Sequence, residues 1–254
     1  HGGEPAMTQP VFRFAPSPNG RLHLGHAYSA ILNHEMANAA GGRFLLRIED
    51  IDTVRCKPEF IDAALDDLNW LGLEWEMPVR RQSHHFADYE AALENLKTRG
   101  LVYPAFMTRS EVVATAGAGY PRDPDGTPHY PGEERSWSRD QQEAAIASGA
   151  PFAWRLDMAK ALKLVAKPLF WLESPDGKTV EVEADPRRWG DVQLARKDVP
   201  TSYHLSVVVD DAFQGVTDIV RGKDLYHATS VHRLLQELLG LPAPRYFHHG
   251  LVMD

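Results

Sequence analysis

The sequence predicts an α/β protein, a doubly wound parallel sheet split by an α+β insertion. Three observations predict it. Strand candidates alternate with amphipathic helices up to Gly100, the stretch from Thr108 to about Pro186 loses that texture, and sheet patterning resumes at Asp191. The chain has 254 residues, 43% of them hydrophobic, which suits one large domain carrying an insertion better than two independent units.

The elements follow in order. Val11 to Ala15 reads as a strand, stopped by Pro16 and Pro18, neither of which can donate to a sheet ladder. LGHAYSAILNHEMANAA, Leu24 to Ala40, reads as a helix closed by Gly41-Gly42. Arg43 to Glu49 (RFLLRIE) is a buried strand between glycines and acids. Lys57 to Leu71 carries Phe60, Ile61, Ala64, Leu65, Leu68 and Leu71 at helical spacing. His85 to Arg99 is a further helix, capped by Gly100. In the middle, RDPDGTPHYPGEER (Arg122 to Arg135) is a loop, flanked by helix or strand candidates at Arg139 to Ser148 and Phe152 to Asp157. Asp191 to Arg196, His204 to Val209 (HLSVVV) and Val216 to Arg221 then read as strands, His227 to Leu239 as a helix, and Tyr246 to Met253 as a last strand. The expected units are 8–104 and 188–254 as the two halves of the sheet domain, with 105–187 inserted. Residues 1–7, HGGEPA and Met7, read as an expression remnant and start.

Composition narrows the function. No apolar run approaches the roughly 18 residues of a membrane span, and no signal-peptide pattern is present. One cysteine, Cys56, rules out an internal disulfide and fits a reducing compartment, so the expected location is cytoplasmic. A formal charge of −8 argues against a non-specific nucleic-acid binder but leaves room for a local basic groove.

In a doubly wound sheet, ligands collect at the carboxyl ends of the strands, beside the helix that follows the first one. A helix starting near Leu24 aims its N–H groups and positive dipole end at an anion. His23 and His26 can project from one side of its first turn, with Gly25 between them leaving the backbone open to a base or phosphate. Imidazoles there can donate to phosphate oxygens as charge builds during displacement at phosphorus. An isolated HxxH also fits a solvated helix end. Zinc on His23, His26 and His34 lacks an acidic or cysteine partner at the needed spacing.

The residues themselves carry a resemblance. FRFAPSPNGRLHLGH (Phe12 to His26), FLLRIEDID (Phe44 to Asp52) and TSYHLSVVVDDAFQGVTDIVRG (Thr201 to Gly222) resemble, in order, three blocks of the class I glutamyl-tRNA synthetase family. The likeness runs over most of Val11 to Asp254, with His23-Leu24-Gly25-His26 standing as the HIGH element. HAYSAILNHEMA, EDIDTVRC and VVVDDAFQGVTDIVRG resemble the short branch of that family, which lacks an anticodon-binding domain. The resemblance implies a Rossmann-like catalytic domain and a ligase using ATP, with its Mg²⁺, as substrate. It implies that L-glutamate is activated to glutamyl-adenylate and then passed to queuosine in the anticodon of tRNA(Asp), by a protein expected to be monomeric. It also implies roles. Arg13, Ala15, Ser17, Glu49, Tyr203 and Arg221 match the glutamate pocket, His23 and His26 the catalytic pair, and His23, Gly25 and His26 the ATP site. Asp224, just after Arg221, is placed to meet the ATP ribose. The chemistry agrees: glutamate needs cations at two carboxylates and an acid at its ammonium, and arginine offers a fork that lysine cannot. Asp210, Asp211, Asp50 and Asp52 read as structural, Cys56 is given no role, and His84-His85 and His248-His249 read as solvated or as sitting behind the residues that touch ligand.

Two departures stand out. The short branch often carries zinc in the insertion, and the matching positions here are Ala105, Met107, Tyr130 and Glu134; without a thiolate, no structural zinc is expected. The family's lysine loop of KMSKS type would follow Asp254, beyond this sequence. The other expectations are the catalytic half of a glutamyl-tRNA synthetase charging tRNA(Glu), and a nucleotide- or amino-acid-binding module without turnover.

Overall fold

The structure, a computed structural model, describes residues 9–252. In chain order it runs β1 (Val11–Phe14), α1 (Leu24–Ala39), β2 (Arg43–Ile48), α2 (Pro58–Trp70), β3 (Glu76–Arg81), α3 (Phe86–Thr98), β4 (Val102–Ala105), α4 (Arg109–Thr115), α5 (Arg139–Ala147), β5 (Ala153–Leu156), α6 (Met158–Val165), β6 (Phe170–Glu173), β7 (Val180–Glu183), β8 (Gln193–Arg196), α7 (Tyr203–Phe213), β9 (Asp218–Gly222), α8 (Thr229–Leu239) and β10 (Arg245–His249). Seven strands form one sheet in the order β3-β2-β1-β9-β10-β6-β7. All neighbours are parallel except the hairpin β6–β7. Strand order reverses beside β1, between β2 and β9, so a crevice opens there at the carboxyl ends.

The period-two alternation of strands sorts the side chains onto two faces. Phe12, Phe14, Phe44, Leu46 and Val220 pack with Ala30 and Ala37 of α1 and Leu68 of α2. Val11, Leu45, Ile219 and Tyr246 cluster on the other face. Arg13, Arg47 and Arg221 lie two residues further along the same strands and share that second face. It is therefore apolar at the amino ends and charged at the carboxyl ends, where α7 covers it through Asp211. Helices α3, α7 and α8 share a large core with the three-stranded antiparallel sheet β4-β5-β8, built on Leu96, Leu156, Leu194, Leu205 and Leu235. Among the described residues, no helix is long and apolar enough to cross a membrane.

Three expectations change. HLSVVV is helix, not strand: Leu205, Val207, Val208, Asp210 and Asp211 of α7 are all buried, so its surroundings erase the periodicity that marks a one-faced helix. β3 (EMPVRR), with an internal proline and not read as a strand from the sequence, is an edge strand. The last strand ends at His249, and Met253 lies outside the described residues, as do residues 1–7. The expected boundaries at 104/105 and 187/188 do not follow the sheets. β4 and β8 belong to the small sheet with β5, and β6–β7 extends the large sheet beyond β10. The reason is pairing: Tyr246 of β10 takes Glu173 of β6 as its parallel partner.

Candidate active site

His23 precedes α1 as its N-cap. Its Nδ1 accepts from the Gly25 backbone N–H at 3.1 Å, and its own backbone N–H donates to His26 Nδ1 at 3.1 Å. This is a reciprocal capping box with imidazoles in place of the usual hydroxyl and carboxylate. The rings stack with centroids 3.7 Å apart. A backbone N–H can only donate, so both Nδ1 atoms accept and the neutral rings carry their proton on Nε2. A Cβ on Gly25 would meet His23 Cε1 at 3.1 Å and the Val252 carbonyl at 3.4 Å. What crowds this glycine is therefore the protein itself.

The strand ends supply the charges. Arg13 gives Nε and Nη2 to Asp211 at 2.9 and 3.2 Å, and Arg47 reaches the same carboxylate at 2.7 Å. Burial works against ionisation of Asp211, but Arg13 and Arg47 outweigh it and hold the carboxyl down at about 2. Asp210, next in the helix, turns the other way to Arg80, Gln82 and Tyr89. Both acids are buried and bonded within the protein, and Asp211 also takes one side of the Arg13 fork. Glu49 accepts from Arg47 at 3.2 Å and from Gln82 at 3.4 Å, both through Oε2. Burial pushes the Glu49 carboxyl up, and Arg47 and Arg13 offset this only in part. Asp52 sets the turn by accepting from Val54 and Arg55, and Asp50 holds Ser83 and Arg81. Cys56 is buried, and burial raises its thiol.

Arg221 is built differently. Its Nε donates to His248 Nε2 at 3.0 Å, Nη1 to the Tyr203 hydroxyl at 3.2 Å, and Nη2 to Thr229 Oγ1 at 2.9 Å, with His232 Nδ1 at 3.1 Å. Tyr203 opens α7, and burial raises its phenol. Asp224 folds back against Gly222, where any Cβ would collide with its carboxylate.

All ten residues expected from the sequence line one cleft of about 540 Å³: Arg13, Ala15, Ser17, His23, Gly25, His26, Glu49, Tyr203, Arg221 and Asp224. Ser29, which went unread, and His249 also line it, joined Oγ to Nε2 at 2.9 Å. His249 was expected to be solvated or to sit behind the residues that touch ligand; it is buried at the cleft wall. His248 is not solvated either: it sits between Arg221 and Glu173, to which its Nδ1 lies 2.9 Å away. The doubled histidine at the end of a strand was the only local signal.

In the small sheet's vicinity, the four positions matching the family's zinc ligands do come together. Ala105 and Tyr130 pack in one cluster with Met107. The Tyr130 hydroxyl donates to Glu134, 2.7 and 2.9 Å from its two oxygens, and accepts from the Met107 N–H at 3.1 Å. A methyl, a thioether, a phenol and one carboxylate do not make the thiolate and imidazole set of a structural zinc site, so these residues do not fit the ion. Among the described residues, no group of three His, Cys, Asp or Glu is placed to hold a metal.

Comparison with known proteins gives a consistent picture. The family model of tRNA synthetases class I (E and Q), catalytic domain, matches residues 10–254. The glutamyl-Q tRNA(Asp) synthetase of Rhodobacter capsulatus is 49% identical over 250 residues, covering 96% of this chain and 87% of that protein. That of Nitratidesulfovibrio vulgaris is 38% identical over 250 residues, covering 95% and 74%. Among solved structures, a glutamate tRNA ligase from Elizabethkingia meningosepticum in complex with its amino acid superposes with a TM-score of 0.75 at 25% identity, over 97% of this chain. The chain spans 50% of that ligase's length.

Proposed function

The chain belongs to the class I tRNA synthetase family of the glutamate and glutamine type, and from that premise we propose that it activates L-glutamate with ATP and transfers the glutamyl group to queuosine in the anticodon of tRNA(Asp). Glutamate's α-carboxylate oxygen attacks the α-phosphorus of ATP, the bond to pyrophosphate breaks, and glutamyl-adenylate forms. A nucleophile of queuosine then attacks the acyl carbon and AMP leaves. ATP brings its own magnesium. The activity belongs in the cytoplasm, with tRNA.

The observation that carries the reading is Arg221, buried at the cleft wall with no carboxylate pairing with it among the described residues. A buried cation without a counter-ion favours an incoming anion. Glu49, raised by burial and on the same cleft, suits the ammonium of an amino acid, whose charge would favour its ionised form. Arg13 has one side of its guanidinium left for the second carboxylate. Ala15 and Ser17 line the approach. His23 and His26, each with a neutral-form proton on Nε2 at the positive end of α1, are suited to donate to phosphate oxygens as pyrophosphate leaves. Gly25 and Asp224 complete the nucleotide side.

The test measures glutamate-dependent ATP–pyrophosphate exchange without tRNA, then charging of queuosine-containing tRNA(Asp), queuosine-free tRNA(Asp) and tRNA(Glu). Exchange without tRNA and charging only of the queuosine-containing species are expected. Charging of tRNA(Glu) would overturn the assigned acceptor, and absence of exchange would leave a binding module.

A further inference from the structure

Two buried arginines face the same cleft, and they are solvated by the protein in opposite ways. Arg13 is paired fork-on to Asp211. Arg221 is held by four neutral groups: two imidazoles, a phenol and a threonine hydroxyl. A guanidinium has donors only and keeps its charge. His232 Nδ1 and His248 Nε2 must therefore accept, and this fixes the rest of the chain. The ring proton of His232 sits on Nε2, 3.0 Å from His204 Nδ1. The ring proton of His248 sits on Nδ1, 2.9 Å from Glu173. The charge of Glu173 is thus kept one imidazole away from Arg221.

We infer that His232 and His248 are positioning residues that hold Arg221 by neutral, single-tautomer acceptors, leaving its charge for an anion in the cleft and setting the preference for a carboxylate over its neutral amide. The inference rests on the cleft being the glutamate site. A carboxylate at position 232 would instead give Arg221 an internal counter-ion, as Asp211 does for Arg13. A neutral amide in the cleft leaves the present Arg221 buried and uncompensated, which is costly. Burial agrees with the hydrogen-bond logic. It lowers His204 to about 4, His232 well below its ordinary value, and His248 also, with Arg221 adding to the effect on each. Near neutral pH none of the three competes with Arg221 as a cation.

Binding of L-glutamate, L-glutamine and ATP is measured by calorimetry on the full-length protein and on Arg221→Ala, His232→Gln and His232→Glu. His232→Gln, which keeps a neutral acceptor and a donor, is expected to bind glutamate within about threefold of the parent. His232→Glu is expected to bind glutamate at least about tenfold more weakly, with ATP affinity unchanged and glutamine affinity equal to or above the parent's. Equal glutamate affinity in the two variants overturns the inference, as does equal weakening of all three ligands by His232→Glu. Normal glutamate binding by Arg221→Ala instead overturns the glutamate reading of the cleft. If His232→Glu does not fold, ring ¹⁵N shifts of the parent decide. A protonated Nε2 on His232 and a protonated Nδ1 on His248 are expected, and reversed tautomers or imidazolium at neutral pH overturn it.

Discussion

In Arg13, Nε and Nη2 are both committed to Asp211, so Asp211 belongs to the cleft although it does not line it. Asp211→Asn removes the charge that Arg13 and Arg47 share. The expected cost is about 3–5 kcal/mol in denaturant unfolding, because two buried cations lose their anion. The native Asp211 carboxyl titrates below its unfolded value of about 3.9. Its contribution is therefore complete above that value and is lost as pH falls toward about 2. Glu49→Ala and Arg221→Ala are each expected to raise the glutamate KM at least about thirtyfold with little change for ATP, and near-normal kinetics in both would refute the pocket. The residue types of the cleft were legible because local blocks carry them. The partners were not: Arg13 and Asp211 are 198 positions apart, and no local spacing encodes that pairing. His232 was invisible for the same reason: it is one of four buried polar residues of α8, with Thr229, Ser230 and Gln236, and its partners Arg221 and His204 lie on other elements.

Among the elements, α7 shows where pattern reading fails. A run rich in β-branched residues with no polar face resembles a buried strand, and only the packing of α3, α8 and the sheet around it makes it a helix. α1, α2 and α3 were readable because each leaves one face to solvent. Helices α7 and α8 and strand β10 bring in His204, His232 and His248, with Arg221, Glu173, Tyr203 and Tyr246 around them. All three imidazoles protonate less readily in the fold than in the unfolded chain, so the unfolded state binds more protons below about pH 6.5 and stability falls on acidification. For His204, lowered to about 4, the loss reaches at most about 3 kcal/mol. Urea midpoints should drop from pH 7 to pH 5, and His204→Phe should flatten that slope. In the small sheet, Tyr130→Phe removes the hydroxyl that serves Met107 and Glu134. We expect about 1–3 kcal/mol of local destabilisation, read as faster amide exchange in β4 and around Glu134, while a chelator leaves the melting temperature of the parent unchanged.

At the scale of the molecule, the fold class and the order of its large elements followed from alternating strands and helices, whereas the partition of strands between two sheets did not. β6 lies in the segment expected as an insertion, yet it pairs with β10 and carries Glu173 to His248, so the supposed accessory segment braces the cleft. Refolding should reflect this joining of distant parts. Recovery of glutamate binding after dilution from denaturant is expected to follow the slowest phase of tryptophan fluorescence, and binding regained in a faster phase would contradict it. The pairing of β1 with β9 also has a consequence during synthesis. At roughly 5–20 residues per second, about 10–40 seconds separate the appearance of Arg13 from that of Asp211, 198 residues later. For that time the first strand has β2 on one side but lacks β9 on the other, and its arginine lacks the anion of Asp211. The nascent amino-terminal half must wait on the ribosome with an unfinished edge, a natural client for chaperones.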